Sequence, residues 1–508
     1  MKKVLVYIGL SFLGVCLAVL VYLYGQLKDP HPGYVLDLSI PMPQNPSFKA
    51  GADARSITPT DWEPWQDLNQ NAMFDDEEPY EDLNKNGQFD TYWMAGFQSK
   101  RAMNGIHDSL WVRTVVWDDG TSRVALVSVD VIGLGHKSIL DIRLAIPDSL
   151  QITHTVIANT HNHEAPDVIG LWGPSQFTSG VNEKWMQHIQ DQVIASIQNA
   201  VSNLESAHLI VGEDLSGADH LVGDTRPPFV KDSGLRVMQF VANLDAKTIA
   251  TVIAWGNHPE TIWNKNLLLT SDFPHYLREG MEKGIPELQQ PGLGGVSLFV
   301  VGAIGGLMTT HQDSSFVSKI DGKTYQEPTF DKVKAQGYEL AHLCFEALKK
   351  GETIQNPGLS IRAKTVLFDM DNRLFRLALA TGLLDGGFVT WGKVRSEVSA
   401  WSLGPVTLLF LPGEVYPELV NGGIAHPKGA DFEVEGTQKP YRNQIKSKYQ
   451  WVIGLANDEI GYVLPRSQWD VEPPFTYQYQ EAPYGEIMSL GPNTANTLSQ
   501  AVQEVLPR

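Results

Sequence analysis

The sequence predicts an α/β fold of the mixed α+β type, built as one large domain. Apolar runs typical of strands alternate with helical patterns along most of the chain, and this alternation indicates an α/β or α+β core. Of the 508 residues, 43% are hydrophobic and 19% are charged, so the chain can bury a large core. No long linker interrupts residues 49–508, and we therefore expect a single domain there.

The predicted strands are short apolar runs, many of them rich in Val, Ile and Leu. They occupy residues 111–117, 124–131, 152–158, 209–211, 235–241, 251–255, 296–301, 360–367 and 406–411. Longer segments with apolar residues at helical spacing predict helices. These segments are residues 183–204, 329–350 and 494–506.

The charge and the cysteines exclude several kinds of function. The net charge of −19 argues against a nucleic acid, or an anionic membrane, as the partner of the whole surface. Cys16 lies in the first apolar segment and Cys344 lies in a helical pattern, so we expect no disulfide between them. Neither belongs to a CxxC pair, and any bound metal must therefore use nitrogen and oxygen ligands.

The N-terminus predicts a membrane anchor. Lys2 and Lys3 precede an uncharged run, residues 4–24, which is long enough to cross a bilayer as a helix. Bulky residues at the end of this run do not match a signal-peptide cleavage site, although cleavage is the alternative. We expect residues 1–25 to form a transmembrane anchor, with the lysines in the cytoplasm and the domain outside it, periplasmic or extracellular. Residues 26–48 contain five prolines and predict a linker that lifts the domain off the membrane.

An internal repeat follows the linker and predicts calcium loops. Residues 67–75 recur fifteen residues later as residues 82–90, and both copies begin Asp-Leu-Asn and end Phe-Asp. Oxygen-bearing side chains at alternate positions, with Gly87 at the bend of the second copy, are typical of calcium loops. The alternative is an Asx-rich solvated turn. The candidate calcium ligands are Asp67, Asn69, Asn71, Asp75, Asp82, Asn84, Asn86 and Asp90.

A histidine pair is the strongest chemical signal in the chain. His161 and His163 follow the apolar run at residues 155–159, and two residues at this spacing on an extended backbone point to the same side. Imidazole and carboxylate groups in so short a segment suit a zinc ion. The alternative is a polar loop stabilised by its own hydrogen bonds, so a metal site requires partners elsewhere in the chain.

Four other segments supply candidate partners. His258 follows the predicted strand at residues 251–255, and Glu414 follows the one at residues 406–411. Tyr462 and Arg226 lie in two further polar segments. Each residue taken singly also has an ordinary structural explanation, as a loop residue, a helix cap or a core residue.

Taken together and in order, these segments resemble the neutral ceramidase family. Its opening GxxxxDITP, its THTHSGP, HPT, PGE and NxYxxYxTT motifs and its late GPxT all have similar stretches in this chain. In the same order, these similar stretches are residues 50–59, 160–166, 258–260, 412–414, 457–464 and 491–494. Residues 105–110 and 125–130 also resemble stretches of the family.

The resemblance implies a zinc site and its chemistry. It assigns His161, His258, Glu414 and Tyr462 as zinc ligands, and it places His163 beside the zinc-bound water. It also places Arg226 near the substrate. Zinc held in this way activates water for attack on an amide carbonyl.

Two departures from the family leave the substrate open. Its GDxSP loop corresponds to residues 306–310, where Leu307 replaces the aspartate and Thr309 keeps a hydroxyl as a candidate catalytic group. Glu164 and Asp167 replace small residues after the histidine pair. We expect them to add negative charge beside the metal, which would support a second ion or a cationic substrate group.

These patterns predict a membrane-anchored, extracytoplasmic zinc amidohydrolase with a ceramidase-like catalytic domain. Its substrate would be ceramide or another lipid-like N-acyl compound, with calcium in a structural role. One alternative is a zinc hydrolase of a different amide or ester. Another is a non-catalytic, calcium-dependent surface binding protein on the same scaffold. No pattern in the sequence predicts the oligomeric state.

Overall fold

The structure is a computed structural model that describes residues 2–433 and 438–506. Its helices are α1 (Lys2–Leu27), α2 (His136–Ala145), α3 (Glu183–Ser202), α4 (Phe273–Lys283), α5 (Phe330–Lys349), α6 (Arg373–Thr381), α7 (Pro417–Asn421), α8 (Tyr484–Ile487) and α9 (Thr494–Val505). Its strands are β1 (Asp37–Ile40), β2 (Lys49–Ser56), β3 (Trp111–Asp118), β4 (Arg123–Val129), β5 (His154–Asn159), β6 (Glu205–Asp214), β7 (Gly223–Asp224), β8 (Leu235–Ala242), β9 (Thr248–Trp255), β10 (Gly284–Ile285), β11 (Gln290–Pro291), β12 (Val296–Val301), β13 (Met308–Thr309), β14 (Phe316–Val317), β15 (Thr324–Tyr325), β16 (Glu352–Ile354), β17 (Leu359–Asp369), β18 (Lys393–Leu403), β19 (Val406–Phe410), β20 (Glu414–Val415), β21 (Tyr449–Ile453) and β22 (Tyr462–Val463).

Two β-sheets form the centre of the fold. The larger has the strand order β12-β9-β8-β6-β2-β3-β4-β5, with β16 added beside β6. The smaller has the order β1-β17-β18-β19-β21. Most neighbouring strands are antiparallel, but β9 with β12, β4 with β5, and β19 with β21 are parallel.

The sheets stack face to face, with helices on their outer faces. Trp117 and Phe240 of the larger sheet and Trp401 and Trp451 of the smaller one belong to a single buried cluster. Because successive side chains of a strand point to opposite faces, the neighbouring Ala400 contributes to a different cluster, which includes residues of α9. Helices α3, α4 and α5 cover the other face of the larger sheet. This arrangement confirms the predicted mixed α/β class.

The predicted elements all form, but the prediction was incomplete. The nine predicted strands coincide with β3, β4, β5, β6, β8, β9, β12, β17 and β19, and the three helices coincide with α3, α5 and α9. Strands β2, β18 and β21 were not predicted. In β18 this is because buried polar residues, Ser396 and Glu397 among them, interrupt its apolar pattern.

The N-terminal helix is long and apolar, and it does not end in a free linker. Among the described residues, α1 is the one helix that by length and composition could cross a membrane, with a mean hydropathy of 1.9 over Leu10–Leu27. Strand β1 then pairs with the edge strand β17, and Asp29 forms two hydrogen bonds with Arg395, of 2.9 and 2.6 Å. The expectation of a spacer over residues 26–48 is therefore wrong, since this segment completes an open sheet edge.

A buried carboxylate links the two sheets. Glu397 of β18 is 1% exposed and pairs with Arg143 of α2. It also accepts hydrogen bonds from His154 of β5 at 2.9 Å and from Asn457 at 3.0 Å. Burial opposes ionisation of this group, but Arg143 and His154 outweigh burial and hold the pKa of Glu397 well below its usual range. The charged network thus fixes β5 against the smaller sheet.

Replacing Glu397 by Gln should destabilise the protein markedly. The change leaves the buried Arg143 without its counter-ion, which costs about 3–5 kcal/mol, measurable as a lower free energy of unfolding in urea. Because the folded-state pKa is depressed, this stabilisation is present above the ordinary pKa of a glutamate and is lost only as the pH falls through the folded-state value. Glu504→Gln is the matched control at an exposed pair with Lys364 and should stay within about 0.5 kcal/mol of the wild type. Equal losses in the two variants would contradict the role given to Glu397.

Candidate metal centre

Four of the predicted ligands meet at the ends of strands. His161 follows β5 and His258 follows β9, while Glu414 and Tyr462 open the paired strands β20 and β22. Strands β20 and β22 come directly after β19 and β21 of the smaller sheet. His161 has a φ of 60°, a left-handed conformation that is uncommon for a residue with a side chain and often marks a functional site. Each sheet thus supplies half of the cluster.

Backbone carbonyls orient the two histidine rings. Nδ1 of His161 lies 2.7 Å from the carbonyl oxygen of Ile132, and Nδ1 of His258 bonds the carbonyl oxygen of Met308. A carbonyl only accepts hydrogen bonds, so Nδ1 carries a proton in both rings, and Nε2 keeps its lone pair whenever the ring is neutral. This arrangement is typical of metal-binding histidines.

Glu414 lies between these two lone pairs. Its Oε2 is 2.9 Å from Nε2 of His258 and 3.5 Å from Nε2 of His161. Ligand atoms around a tetrahedral zinc ion are about 3.3 Å apart, given metal–ligand bonds of about 2.0 Å. Two imidazole nitrogens this close to one carboxylate oxygen are stabilised by positive charge between them, which a proton or a metal ion supplies. The residues therefore fit a bound metal ion.

The electrostatics of the cluster favour positive charge at the same point. Burial lowers the pKa of His161 to about 4, so this ring is neutral at ordinary pH. Burial also opposes a charge on His258, but the hydrogen bond with Glu414 and the charge of Glu260 outweigh it and raise its pKa. The carboxylate of Glu414 accordingly attracts a cation to the space between the rings.

A close backbone approach brings Tyr462 to Glu414. The two residues are register partners in the parallel β20–β22 pair. Gly413 has a φ of 67°, and a Cβ atom there would lie 2.5 Å from the carbonyl oxygen of Gly461, so only glycine allows this pairing. Burial, followed by the charge of Glu414, raises the pKa of Tyr462 well above its ordinary value.

His163 faces the cluster with an unpartnered nitrogen. Its ring centroid lies 5.0 Å from that of His161, and its Nε2 has no hydrogen-bond partner among the described residues. Its Nδ1 lies 3.2 Å from the carboxylate of Glu260, which in turn accepts a hydrogen bond from the hydroxyl of Thr309. A Cβ atom on Gly96 would lie 2.5 Å from the His163 ring, so glycine at that position is needed to admit the ring.

Sequence reasoning assigned no role to two carboxylates of this site. Glu260 follows His258 by two residues, and burial raises its pKa to about 7. Glu459 precedes Tyr462 by three residues and lies with His161 and Glu414 in one group of potential metal ligands. One oxygen of Glu459 accepts a hydrogen bond from the backbone N–H of Gly461, and the other has no partner among the described residues. Their proximity to predicted ligands in the sequence was the available signal.

Arg226 lies behind the cluster. It pairs with Glu486, donates a hydrogen bond of 3.1 Å to the carbonyl oxygen of Gln468, and sits 5.2 Å from the ring centre of Tyr416. Of the residues described, Thr225 rather than Arg226 lines the cavity. Direct contact between Arg226 and a substrate therefore stays a prediction.

Glu164 and Asp167 do not add free charge beside the metal. Glu164 lies 3.4 Å from Arg101 and accepts a hydrogen bond of 2.8 Å from Asn266. Burial raises its pKa to about 8. Asp167 accepts backbone hydrogen bonds from the loop that follows it, residues 169–172. The expectation from sequence was wrong because both carboxylates are used within the protein.

The cluster forms one wall of a cavity of about 850 Å³. Sites for small molecules typically have volumes of about 300–1,000 Å³ and mostly apolar walls. His161, His163, His258, Glu414, Tyr462 and Thr309 provide the polar lining at this wall. Apolar side chains cover much of the remaining wall, including Ile142, Met186, Ile189, Phe375, Leu379 and Leu384.

The repeated loops at residues 67–90 have matching structures. In the first loop Asp67 accepts hydrogen bonds from the backbone of Asn71, and in the second Asp82 does so from Asn86. The rings of Phe74 and Phe89 stack, with centroids 4.1 Å apart. The candidate oxygen ligands of each copy are thus gathered around a similar turn.

Two glutamates that sequence reasoning missed complete these loops. Glu78, the twelfth residue of the first loop counted from Asp67, accepts backbone hydrogen bonds from Leu68 and Asp75, of 2.8 and 2.9 Å. Glu63, which precedes the first loop, makes the equivalent bonds in the second loop, at 2.9 and 3.0 Å. The signal was present, because the repeat extends back to a Glu-Pro pair before each copy. The two loops therefore exchange their glutamates.

His161→Ala and His258→Ala should each remove the bound metal. Each variant loses one of the two imidazole nitrogens of the proposed ligand set, so metal content should fall from about one ion per chain to nearly none. Elemental mass spectrometry on the purified proteins measures this, with circular dichroism to confirm folding.

His208→Ala is the matched control. The His208 side chain lies on strand β6, outside the cluster, and forms a hydrogen bond with the side chain of Asn243. This variant should keep the metal. Full metal content in either the His161 or the His258 variant would make the ligand assignment wrong.

Comparison with known proteins identifies the fold. No family model matches the chain, and neither does any curated protein sequence. Among solved structures, one described as a ceramidase complexed with C2 matches 91% of this chain and 75% of its own, with a TM-score of 0.62 and 15% identity. The neutral ceramidase of Pseudomonas aeruginosa matches 92% of this chain and 76% of its own, with a TM-score of 0.62 and 16% identity. The chain therefore has a divergent form of the neutral ceramidase fold.

Proposed function

We propose that this protein is a zinc-dependent hydrolase that cleaves an amide bond in ceramide or another lipid-like N-acyl substrate. The observation that carries the proposal is the convergence of His161, His258 and Glu414 on one point of a cavity. His163 aims an unpartnered nitrogen at the same region. A cation there and a base beside it are the two requirements for activating water.

The metal ligands in this proposal are His161, His258, Glu414 and Tyr462. Two imidazole nitrogens and two oxygens suit zinc, which accepts both donor types and can expand to five ligands when a water molecule joins them. A zinc ion bound there would lower the pKa of a water molecule to about 7 and polarise the substrate carbonyl.

His163 moves the proton. Burial and the neighbouring His161 and His258 lower its pKa well below the ordinary value, so the ring is neutral and its free Nε2 is available to accept the proton of the attacking water. Glu260, 3.2 Å from Nδ1, stabilises the positive charge that then develops on the ring, and the Thr309 hydroxyl holds Glu260 in place. As the water oxygen bonds to the carbonyl carbon, the carbon–nitrogen bond breaks. His163 then returns the proton to the leaving amine.

The substrate class follows from the cavity and from the similar structures. The cavity joins a polar cluster to a largely apolar wall, which suits an amphiphile whose amide lies at the cluster and whose chain lies along the wall. Both similar structures are described as ceramidases. This supports ceramide or a related N-acyl lipid.

A hydrolase of a different amide or of an ester is the second candidate. Leu307 favours it, because this residue lines the cavity where the family resemblance places an aspartate. The same water and the same base attack an ester carbonyl. Only the groups that recognise the substrate would then differ.

The protein's location is part of the proposal. Helix α1 would anchor the protein in a membrane, with the catalytic domain on the periplasmic or extracellular side. The repeated loops would each bind a calcium ion through Asp67 or Asp82 and the asparagines that follow. Glu78 and Glu63 would complete the two sites. Such sites bind in the range of extracellular calcium concentrations.

His163→Gln should separate catalysis from metal binding. The variant keeps the four proposed ligands, so zinc content should stay at about one per chain, while loss of the base should lower kcat about a hundredfold or more. The full-length protein in detergent would be assayed with a fluorescent N-acylsphingosine, and His208→Ala serves as the control with full activity.

The wild-type result also separates the alternatives. Zinc with turnover supports the proposal, and zinc without turnover directs the search to other amides and esters. No zinc under metal-replete conditions would contradict a hydrolase and favour a calcium-dependent binding protein.

Removing calcium should lower the melting temperature while leaving the zinc content unchanged. Ligand that binds only the folded state stabilises it by mass action, so a calcium chelator with low zinc affinity should shift melting by a few degrees. Glu63→Gln and Glu78→Gln should each reduce the shift, because each removes a charged ligand from one of the two loops, and the double variant should abolish it. Glu81→Gln, an exposed residue of the same segment, is the control that should keep it. A wild-type protein indifferent to the chelator would make the repeat a plain pair of turns.

A further inference from the structure

The metal cavity reaches the end of the apolar helix. Gln26, Asp29 and His31, in and just after the last turn of α1, line the same cavity as the metal cluster. Phe375 and Leu379 of α6 line it as well. One continuous space therefore joins the proposed zinc ligands to the point where α1 meets the domain.

The contacts of α1 define where a bilayer surface would lie. The hydroxyl of Tyr22 donates a hydrogen bond of 2.9 Å to the carbonyl oxygen of Thr381, and the backbone N–H of Phe388 donates one of 2.9 Å to Leu27. The helix therefore packs on the domain from Tyr22 onward. The preceding uncharged residues 4–21 span about 27 Å at 1.5 Å per residue, close to the thickness of the hydrocarbon core. Tyr22 would thus lie at the membrane surface, and α6 would lie at the same level.

Exposed apolar side chains occur at this level. Leu374 and Leu377 on α6 are 62% and 60% exposed, and Trp391 is 76% exposed. The two leucines lie three residues apart and share one helix face. The ring of Trp391 lies 5.6 Å from that of Phe388, whose backbone bonds α1. We name these three residues, Leu374, Leu377 and Trp391, the α6 patch.

The domain is held in a fixed position relative to α1. The two hydrogen bonds between Asp29 and Arg395 and the pairing of β1 with β17 follow directly after the helix. His31 also bonds Asp141 of α2 at 2.9 Å. These contacts leave no flexible tether, so the α6 patch stays beside α1.

We propose that the α6 patch inserts into the bilayer that α1 crosses, and that the cavity takes a lipid substrate directly from that bilayer. The inference rests on the proposed membrane anchor and extends the proposed hydrolase function. Tryptophan is enriched at membrane interfaces, and the transfer of leucine side chains out of water is favourable. Since the net charge of −19 opposes attraction to anionic lipids, the apolar contact drives insertion into a neutral, zwitterionic bilayer.

Quenching of tryptophan fluorescence tests the insertion. The full-length protein is reconstituted in nanodiscs of phosphatidylcholine brominated on the upper part of its acyl chains. Helix α1 contains no tryptophan, and Trp391 is the one tryptophan among the strongly exposed residues of the described chain. Bromolipid should therefore quench the wild type, and Trp391→Phe should remove that quenching.

Leu244→Ser is the control, because Leu244 is 92% exposed in the turn between β8 and β9, outside the patch. It should leave the quenching unchanged. Equal quenching in the wild type and in Trp391→Phe would overturn the proposal.

A substrate comparison tests direct uptake. The double variant Leu374→Ser, Leu377→Ser should hydrolyse a long-chain N-acylsphingosine embedded in vesicles about tenfold more slowly, since it loses apolar burial. It should hydrolyse a short-chain, water-soluble analogue at the wild-type rate. Equal losses on both substrates would overturn the proposal.

The two experiments separate this inference from the proposals on which it rests. A full-length protein that fails to co-float with vesicles overturns the anchor and the inference together, whatever its zinc content. A protein that floats but cleaves neither substrate contradicts the hydrolase, and the bromolipid result then decides insertion alone.

Discussion

The candidate metal centre depends on the position of one β-sheet against the other. His161 and His258 extend from strands of the larger sheet, whereas Glu414 and Tyr462 follow strands of the smaller one. A shift of either sheet would separate nitrogen from oxygen ligands. The buried carboxylate of Glu397 opposes such a shift, because its partners His154 and Arg143 belong to elements packed with the larger sheet and must stay within hydrogen-bond distance. Glu397 therefore fixes the position of the smaller sheet against the larger one, in addition to stabilising the fold.

Sequence patterns predicted many of the strands whose buried positions are apolar, and they missed β18, whose buried positions are partly charged and polar. Runs such as β9 and β12 bury apolar side chains at most positions, and this signal is local. Strand β18 instead buries Arg395, Ser396 and Glu397. The partners of Arg395 and Glu397 lie on α2, on β5 and in the segment after α1. Because these partners are distant in the sequence, the residues around β18 do not show why its polar side chains are buried.

The candidate site shows the same division. Its metal ligands follow strands, and their order along the chain was recognisable. The groups that support them were not, since Gly96 and Arg101 contact His163 from a segment about sixty residues earlier. Glu164 and Asp167 had the residue types of a metal site. Glu164 instead pairs with Arg101 and Asn266, and Asp167 accepts hydrogen bonds from the backbone of the loop that follows it. Residue type and spacing identify candidates, while partners decide which of them face the cavity.

The exchanged glutamates make the repeated loops a closed pair. Glu78, which precedes the second loop, bonds the first loop, and Glu63, which precedes the first loop, bonds the second, so neither loop is complete without the other copy. Loss of one copy would leave the remaining loop without its carboxylate. The duplication therefore works as a unit of two, in which each copy supplies the carboxylate that the other needs.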